Sequence, residues 1–185
     1  MKSILSGPNS GPLIAVFAVA MALVVFGPGP ALAHESGAKG GPTMLTPELK
    51  KVRDNLAKYK DVTAAEADGY VSLEECVAGP EGAMGVHYLN QNLIGSIDPA
   101  KPAIIQYQPV DGGMDLVGVE WLVMKEAAGG HHPRMFGRKF AGPMPGHEPA
   151  MPKEAVHYDL HAWLFVDAPT GVFADFNPNV KCPAS

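Results

Sequence analysis

The sequence lacks the short motifs that identify several large enzyme classes. It contains neither the GxGxxG loop of dinucleotide-binding domains nor the phosphate-binding GxxxxGK[ST] loop. It also has no GxSxG turn, which would expose the nucleophile of an α/β-hydrolase. Neither cysteine has a CxxC partner or an obvious activating neighbour, so thiol catalysis and a cysteine-based metal site are both disfavoured.

Basic residues are outnumbered by acidic ones. The chain has 14 Lys and Arg against 19 Asp and Glu, which gives a net charge of −5. Nucleic-acid binding favours a basic patch, and attraction to an anionic membrane surface requires clustered lysine and arginine. We therefore expect neither nucleic acid nor an anionic lipid surface to be the partner.

Residues 1–33 have the pattern of a secretory signal peptide. Lys2 provides a positive start, residues 13–26 (LIAVFAVAMALVVF) form an uncharged apolar run, and residues 31–33 (ALA) fit a cleavage site. The run is short for a membrane span, and no cysteine lies near the cleavage point to carry a lipid anchor. We expect a periplasmic or secreted protein with no stable membrane anchor after cleavage. An uncleaved anchor is the alternative.

Only two cysteines are present, Cys76 and Cys182. In an exported chain this even number favours a disulfide, here between the start of the β-rich region and the C-terminus. Closing a loop of that length contributes about 4–5 kcal/mol in the chain-entropy model. Two buried free thiols are the alternative.

Beyond a Gly-rich, flexible segment at 34–45, residues 46–185 are predicted to form a single domain that begins with helices. Thr46, Pro47 and Glu48 supply a capping hydroxyl, a proline at the first helical position and an acid in the first turn. Residues 63–66 (TAAE) match a capping box for a second short helix, which Asp68 and Gly69 would end.

After Tyr70 the sequence becomes β-like. Short runs rich in β-branched and aromatic residues, bounded by turn residues, predict five strands, at 85–90, 103–109, 115–124, 156–166 and 172–176. Residues 110–113 (VDGG) predict a hairpin turn between the second and third of them. Helices followed by strands indicate an α+β fold with a mainly antiparallel sheet and one disulfide.

Residues 125–155 form a long loop rich in Gly, Pro, His and Met, without helix or strand periodicity. Loops of this length are usually lids, binding loops or disordered segments. Two parts of the loop carry possible ligands: His131 with His132, and residues 144–151 (MPGHEPAM), where thioethers alternate with an imidazole in a combination that suits Cu(I). A solvated loop without a metal is the alternative.

The strand at 156–166 carries the main candidate site. Side chains alternate along a strand, so His157, Asp159 and His161 share one face, together with Trp163 and Phe165. Polar groups beside large aromatic rings are costly to bury unless each has a partner. A metal ion, a ligand or a hydrogen-bond network must therefore satisfy them.

His87 and Glu120 lie in two other apolar strands and complete a His/Glu/Asp ligand set of the kind that binds zinc, iron, manganese or copper, with copper or zinc favoured. Because residues four apart in a strand are separated by roughly 13 Å, His157 and His161 are not expected to share one ion. Asp159 with either histidine is compatible, joined by His87 or Glu120. In a helix both histidines would reach one ion, but the composition favours a strand.

Three functions remain open at this point: binding of a transition metal, metal-dependent catalysis with the loop as a lid, and a metal-free pocket for a small organic ligand lined by Tyr88, Trp121 and Trp163. A purely structural network is a fourth possibility. Cleavage after Ala33 would also make His34 the N-terminal residue, whose amine and ring together can chelate copper.

Several sequence blocks resemble a family of exported bacterial proteins to which no activity is assigned. The blocks are residues 59–61 (YKD), 67–70 (ADGY), 84–88 (MGVHY), 119–121 (VEW) and 157–164 (HYDLHAWL). The resemblance covers most of the domain and implies a shared fold and a shared pocket, without a reaction.

Overall fold

The computed structural model describes residues 43–147 and 151–183. The predicted signal peptide at 1–33, His34 and most of the segment at 34–45 lie outside the described residues. Thr43, near the end of that segment, is held by its hydroxyl, which donates to Asp167 Oδ1 at 2.7 Å and accepts from the Ala168 amide at 2.6 Å. Neither of the two α-helices described has the length and apolar character of a membrane span.

Both predicted helices are present. Helix α1 (Pro47–Leu56) begins at Thr46, whose hydroxyl accepts a hydrogen bond from the Leu49 amide at 3.2 Å. It continues into a 3-10 turn at Ala57–Lys60. Helix α2 (Val62–Ala67) is capped by the Asp61 carboxylate rather than by Thr63, because that carboxylate accepts from both the amide and the hydroxyl of Thr63.

The strands form an antiparallel sheet. They are β1 (Val71–Gly79), β2 (Gly82–Leu89), β3 (Ile104–Val110), β4 (Gly113–Met124), β5 (Arg134–Met135), β6 (Arg138–Lys139), β7 (Ala141–Met144) and β8 (His157–Ala162). Six of them pair in the order β1-β2-β3-β4-β8-β7, and β5 pairs with β6 separately. The two helices, the antiparallel sheet and the predicted turn between β3 and β4 confirm the α+β class.

The predicted strands and loop differ from the structure at four places. Strand β1 was not predicted, and β8 ends at Ala162 rather than at residue 166. Residues 172–176 are not a strand, because the segment is folded into turns, in which the Ala174 amide donates to the Gly171 carbonyl at 3.1 Å. The predicted loop at 125–155 contains β5, β6 and β7.

The main core lies on one face of the sheet, where the helices pack. Helix residues Leu49, Val52 and Leu56 join the buried side chains of alternate strand residues, including Tyr107 and Trp121. The Tyr107 hydroxyl donates to the carbonyl of Tyr59 at 2.6 Å, which ties the helical segment to the middle of the sheet. The alternate residues of the same strands face the other side, where the polar residues collect.

The predicted disulfide is confirmed. Cys76 on β1 is bonded to Cys182, at a sequence separation of 106. The C-terminal segment is also held beside β2 by reciprocal backbone hydrogen bonds between Ala83 and Asn177, both at 3.1 Å. The C-terminal segment is thereby tied to β1 by the disulfide and to β2 by main-chain pairing.

Candidate metal centre

Strand register brings the polar residues together. On the face opposite the main core, β4 presents Glu120, which pairs with His161 of β8 and with Ile104 of β3. Asp159 is two residues from His161 on the same face, opposite Leu122 of β4. The result is a compact polar cluster in an otherwise apolar sheet.

His87 reaches this cluster from β2. It pairs with Gln106 of β3. Gln106 lies two residues along β3 from Ile104, which pairs with Glu120, so His87 and Glu120 are on the same face of the sheet. The Nε2 atom of His87 lies 3.5 Å from Glu120 Oε2. Four strands of the sheet therefore contribute side chains to one site.

The spacing of the ligand atoms is too wide for hydrogen bonds. Nε2 of His161 lies 3.4 Å from Glu120 Oε2, and Nε2 of His157 lies 3.6 Å from Asp159 Oδ2. An N–H···O hydrogen bond is normally 2.7–3.2 Å long. Four ligands about 2.1 Å from a tetrahedral ion are separated from each other by about 3.4 Å, which matches these contacts.

The cluster contains two overlapping groups of three ligands. In the first, Glu120, Asp159 and His161 each offer an atom, and these atoms all lie within 4.8 Å of one another. In the second, His147, His157 and Asp159 do the same. Asp159 belongs to both groups. All members are buried except His147, which is exposed.

The strand histidines direct the same ring nitrogen towards the cluster. His157 Nδ1 donates to the carbonyl of Ala155 at 3.0 Å, which leaves its Nε2 facing Asp159. His161 Nδ1 contacts the side-chain amide of Gln106 at 3.1 Å, which leaves its Nε2 facing Glu120. Bonds to the second nitrogen fix the orientation of metal-binding histidines in the same way.

Gln106 is the buried support of this arrangement. Its Nε2 contacts His161 Nδ1, and its Oε1 is a buried side-chain oxygen with no hydrogen-bond partner among the described residues. A half-turn of the amide exchanges the two groups, so that Oε1 would accept from Nδ1–H of His161. That tautomer leaves Nε2 of His161 free to bind an ion.

Strand β4 leaves space for the side-chain amide of Gln106 by having a glycine opposite it. Gly118 of β4 pairs with Gln106, and a Cβ atom at Gly118 would lie 2.7 Å from Gln106 Oε1 and 3.0 Å from Trp163 Cε3. Both separations are shorter than van der Waals contact. A side chain at position 118 would therefore displace the group that orients His161.

Burial dominates the electrostatics of the cluster. Burial, with the negative charges of Asp159 and Asp175, raises the pKa of Glu120 well above its usual range. Burial also lowers the pKa of His161, and it lowers the pKa of His87 to about 3. Both imidazoles are thus neutral near pH 7, which is the form that binds a metal ion.

His157 and Asp159 behave as a pair. Burial opposes the charge on each, but their mutual contact outweighs it. The contact raises the pKa of His157, with help from the Ala155 carbonyl, and it lowers the pKa of Asp159, with help from the neighbouring histidines. The carboxylate of Asp159 is therefore ionised where the two ligand groups meet.

A small cavity opens at the cluster. Its volume is about 70 Å³, and besides the polar residues it is lined by Leu73, Val77, Met84, Ile104, Leu122 and Met151. A second cavity of about 200 Å³ reaches Asp159 and His161 between β6 and β8, with Arg138, Lys139 and Asp175 at its rim. The site is thus bordered by an apolar cavity and by a charged one.

The structure places the five residues predicted for the site in one cluster, but not around one centre. Glu120, Asp159 and His161 form the first group, His87 adjoins it, and His157 belongs to the second group with His147. The expected partner of His157 and Asp159 was His87 or Glu120. His147 takes that place because β7 and the residues after it return over the end of β8.

Other predicted site residues lie elsewhere. His132 bonds the Phe140 carbonyl at 2.7 Å and packs against Tyr158, on the opposite face of the sheet. Tyr88 and Trp121, which were predicted to line an organic pocket, are buried in the main core instead. Trp163 is fully buried beside Val117 and Val180.

Comparison of the chain with family models, with curated proteins and with solved structures returns no match in any of the three.

Proposed function

We propose that the protein binds a transition-metal ion through Glu120, Asp159, His161 and His87. The observation that carries the proposal is the spacing of buried ligand atoms. Imidazole nitrogens stand 3.4 and 3.5 Å from the same Glu120 oxygen, which is too far for good hydrogen bonds and close to the ligand–ligand distance of a tetrahedral site.

The ligand set favours zinc or copper. Two imidazole nitrogens and two carboxylate oxygens form a borderline set that suits both ions, and neither cysteine is free to add a thiolate. An ion of charge +2 would also offset the cost of burying Glu120 and Asp159 together, which is otherwise high because both carboxylates are removed from water.

The cavity size disfavours a metal-free organic pocket at the cluster. Sites for drug-sized ligands usually enclose about 300–1,000 Å³. The apolar cavity at the cluster encloses only about 70 Å³, which is room for about two water molecules at liquid density. A metal ion with one or two small exogenous ligands fits this volume better.

A metal-dependent enzyme is the second candidate function, and the same cavity favours it. Space beside the ligands allows an open coordination position, where a bound water can be activated. Substitution with Co(II) followed by titration with azide tests this point. A change in the visible spectrum on azide binding would show an open position, and an unchanged spectrum would exclude one.

The direct test of metal binding is elemental mass spectrometry on protein prepared without a histidine tag. We expect near-stoichiometric zinc or copper in the wild type and its loss in Glu120→Gln and His161→Gln, because each removes a buried ligand. Glu75→Gln and His131→Gln are matched controls, since both residues are exposed and lie outside the cluster.

Two results would contradict the proposal. One is protein without metal after reconstitution with zinc, copper, iron and manganese. The other is metal whose amount is the same in the cluster variants and in the controls. Circular dichroism of each variant distinguishes the loss of a ligand from the loss of the fold.

We further propose a periplasmic or secreted location, and membership of the family of exported bacterial proteins that the sequence blocks resemble. The disulfide between Cys76 and Cys182 supports the location, because such bonds persist in oxidising compartments. Three of the resembling blocks, at 84–88, 119–121 and 157–164, contain His87, Glu120, His157, Asp159 and His161.

A further inference from the structure

We infer that the chain holds a second metal position beside the first, which binds Cu(I) through His147, His157 and the thioether of Met144, with Asp159 shared between the two. The inference rests on the proposed function only in that shared carboxylate. Its other ligands are distinct from those of the first position, so the two can be tested separately.

The geometry of the second position resembles that of the first. His147, His157 and Asp159 offer ligand atoms that all lie within 4.8 Å of one another. His147 Nε2 lies 3.4 Å from Met144 Sδ. Bonds of about 2.0 Å to nitrogen and 2.3 Å to sulfur give a separation of about 3.5 Å between such ligands around a tetrahedral ion.

Main-chain pairing holds these ligands in place. Met144 of β7 pairs directly with His157 of β8, so their side chains project from the same face of the sheet. Beyond the strand, the Met151 amide donates to His147 O at 2.8 Å. The segment that carries His147 is therefore folded back against the end of β8.

Residue size reinforces this path of the chain. A Cβ atom at Gly146 would lie 2.0 Å from the carbonyl oxygen of Pro152, a separation that no side chain tolerates. The close approach brings the backbones of Gly146 and Pro152 together, next to His147. Glycine at position 146 is thus required for the backbone path that places His147 at the site.

The ligands of the two positions differ in chemistry. Thioether and imidazole together are soft ligands that suit Cu(I), whereas Glu120, Asp159 and His161 form a harder set. The two positions also differ in access, because His147 is exposed, whereas Glu120, Asp159 and His161 of the first position are buried. Met151 lines the cavity between them as a further polarizable neighbour.

The test is anaerobic titration of Cu(I) into protein loaded with one equivalent of Zn(II), with a chromophoric Cu(I) chelator as competitor. We expect one additional Cu(I) per chain. The affinity of the protein for this Cu(I) should fall at least about tenfold in His147→Gln and in Met144→Leu, because each variant lacks one Cu(I) ligand. Both variants should retain the Zn(II). X-ray absorption at the copper edge should show a sulfur ligand that is absent in Met144→Leu.

Matched controls are His131→Gln and Met44→Leu, which alter exposed residues of the same types outside the cluster. Cu(I) binding that is absent, or equal in His147→Gln, Met144→Leu and the controls, would overturn the inference. Cu(I) that depends on His147 and Met144 in protein unable to hold Zn(II) would support the second position and contradict the first. Protein that binds Zn(II) but no additional Cu(I) would support the first position and contradict the second.

Discussion

Replacing Gly118 with alanine tests whether the packing around Gln106 controls the metal centre. The added methyl would stand 2.7 Å from Gln106 Oε1 and 3.0 Å from Trp163 Cε3. Trp163 is fully buried and its indole N–H is bonded to the Ala174 carbonyl at 2.6 Å, so it has little freedom to retreat. The Gln106 amide must then move, and it is the group that contacts His161 Nδ1.

Two effects of this substitution can be estimated. Overpacking a filled interior costs about 1–3 kcal/mol of the free energy of unfolding. Loss of the hydrogen-bonded support of a metal-binding histidine lowers metal affinity about 10–100-fold. No strain from a left-handed backbone contributes, because Gly118 does not have a positive φ angle.

Urea denaturation and competitive metal titration on Gly118→Ala measure the two effects. Gly113→Ala is the control, because it adds the same methyl group to the same strand where nothing lies within 4 Å. We expect the control to stay within about 0.5 kcal/mol of the wild type. Equal stability and equal metal affinity in the two variants would refute the proposed role of Gln106.

Three further predictions concern the rest of the fold. Removing the disulfide by Cys76→Ser with Cys182→Ser should lower the free energy of unfolding by about 4–5 kcal/mol in the chain-entropy model, given the sequence separation of 106. A melting temperature that does not fall, measured by calorimetry under oxidising conditions, would contradict this. In the metal-free protein, the unfolded chain takes up a proton at His87 near pH 6.5, whereas the folded chain does so only near pH 3. Stability should therefore fall as the pH drops through this window, and His87→Gln should remove up to about 1.4 kcal/mol per pH unit of that slope; parallel stability curves would exclude this assignment. Tyr107→Phe should cost about 1–3 kcal/mol by leaving the carbonyl of Tyr59 without its donor, and an unchanged urea midpoint would show that the bond is not needed.

The elements with strong local signals could be predicted from the sequence. Helix α1 has a capping hydroxyl, a proline at its first position and apolar residues at helical spacing, and the structure confirms it at Pro47–Leu56. Strand β1 has no such signal. It contains Glu74 at a φ of 63° and a bulge between Ser72 and Cys76, so its side chains do not alternate regularly between buried and exposed.

The candidate site was predictable where a residue carried its own signal in the sequence, namely a polar side chain within an apolar strand, as for His87, Glu120 and the polar residues of β8. The spacing of His157, Asp159 and His161 places them on one face of β8, and the structure does so. Gln106 was not predicted, and His147, which was predicted only as a loop ligand for Cu(I), was not expected beside His157 and Asp159, because that proximity depends on the pairing of β7 with β8. A polar Gln106 within the apolar run of β3 was the one signal that pointed to it.

Strand β8 alternates between two incompatible environments. Tyr158, Leu160 and Ala162 face the aromatic core, and the residues between them face the polar cluster. A slip of one residue against β4 would move two imidazoles and a carboxylate into that core. Each unpaired polar group there costs about 1–3 kcal/mol, so such a mispaired sheet is penalised several times over. The ligands therefore also specify the alignment of β8 against β4, whether or not an ion is bound.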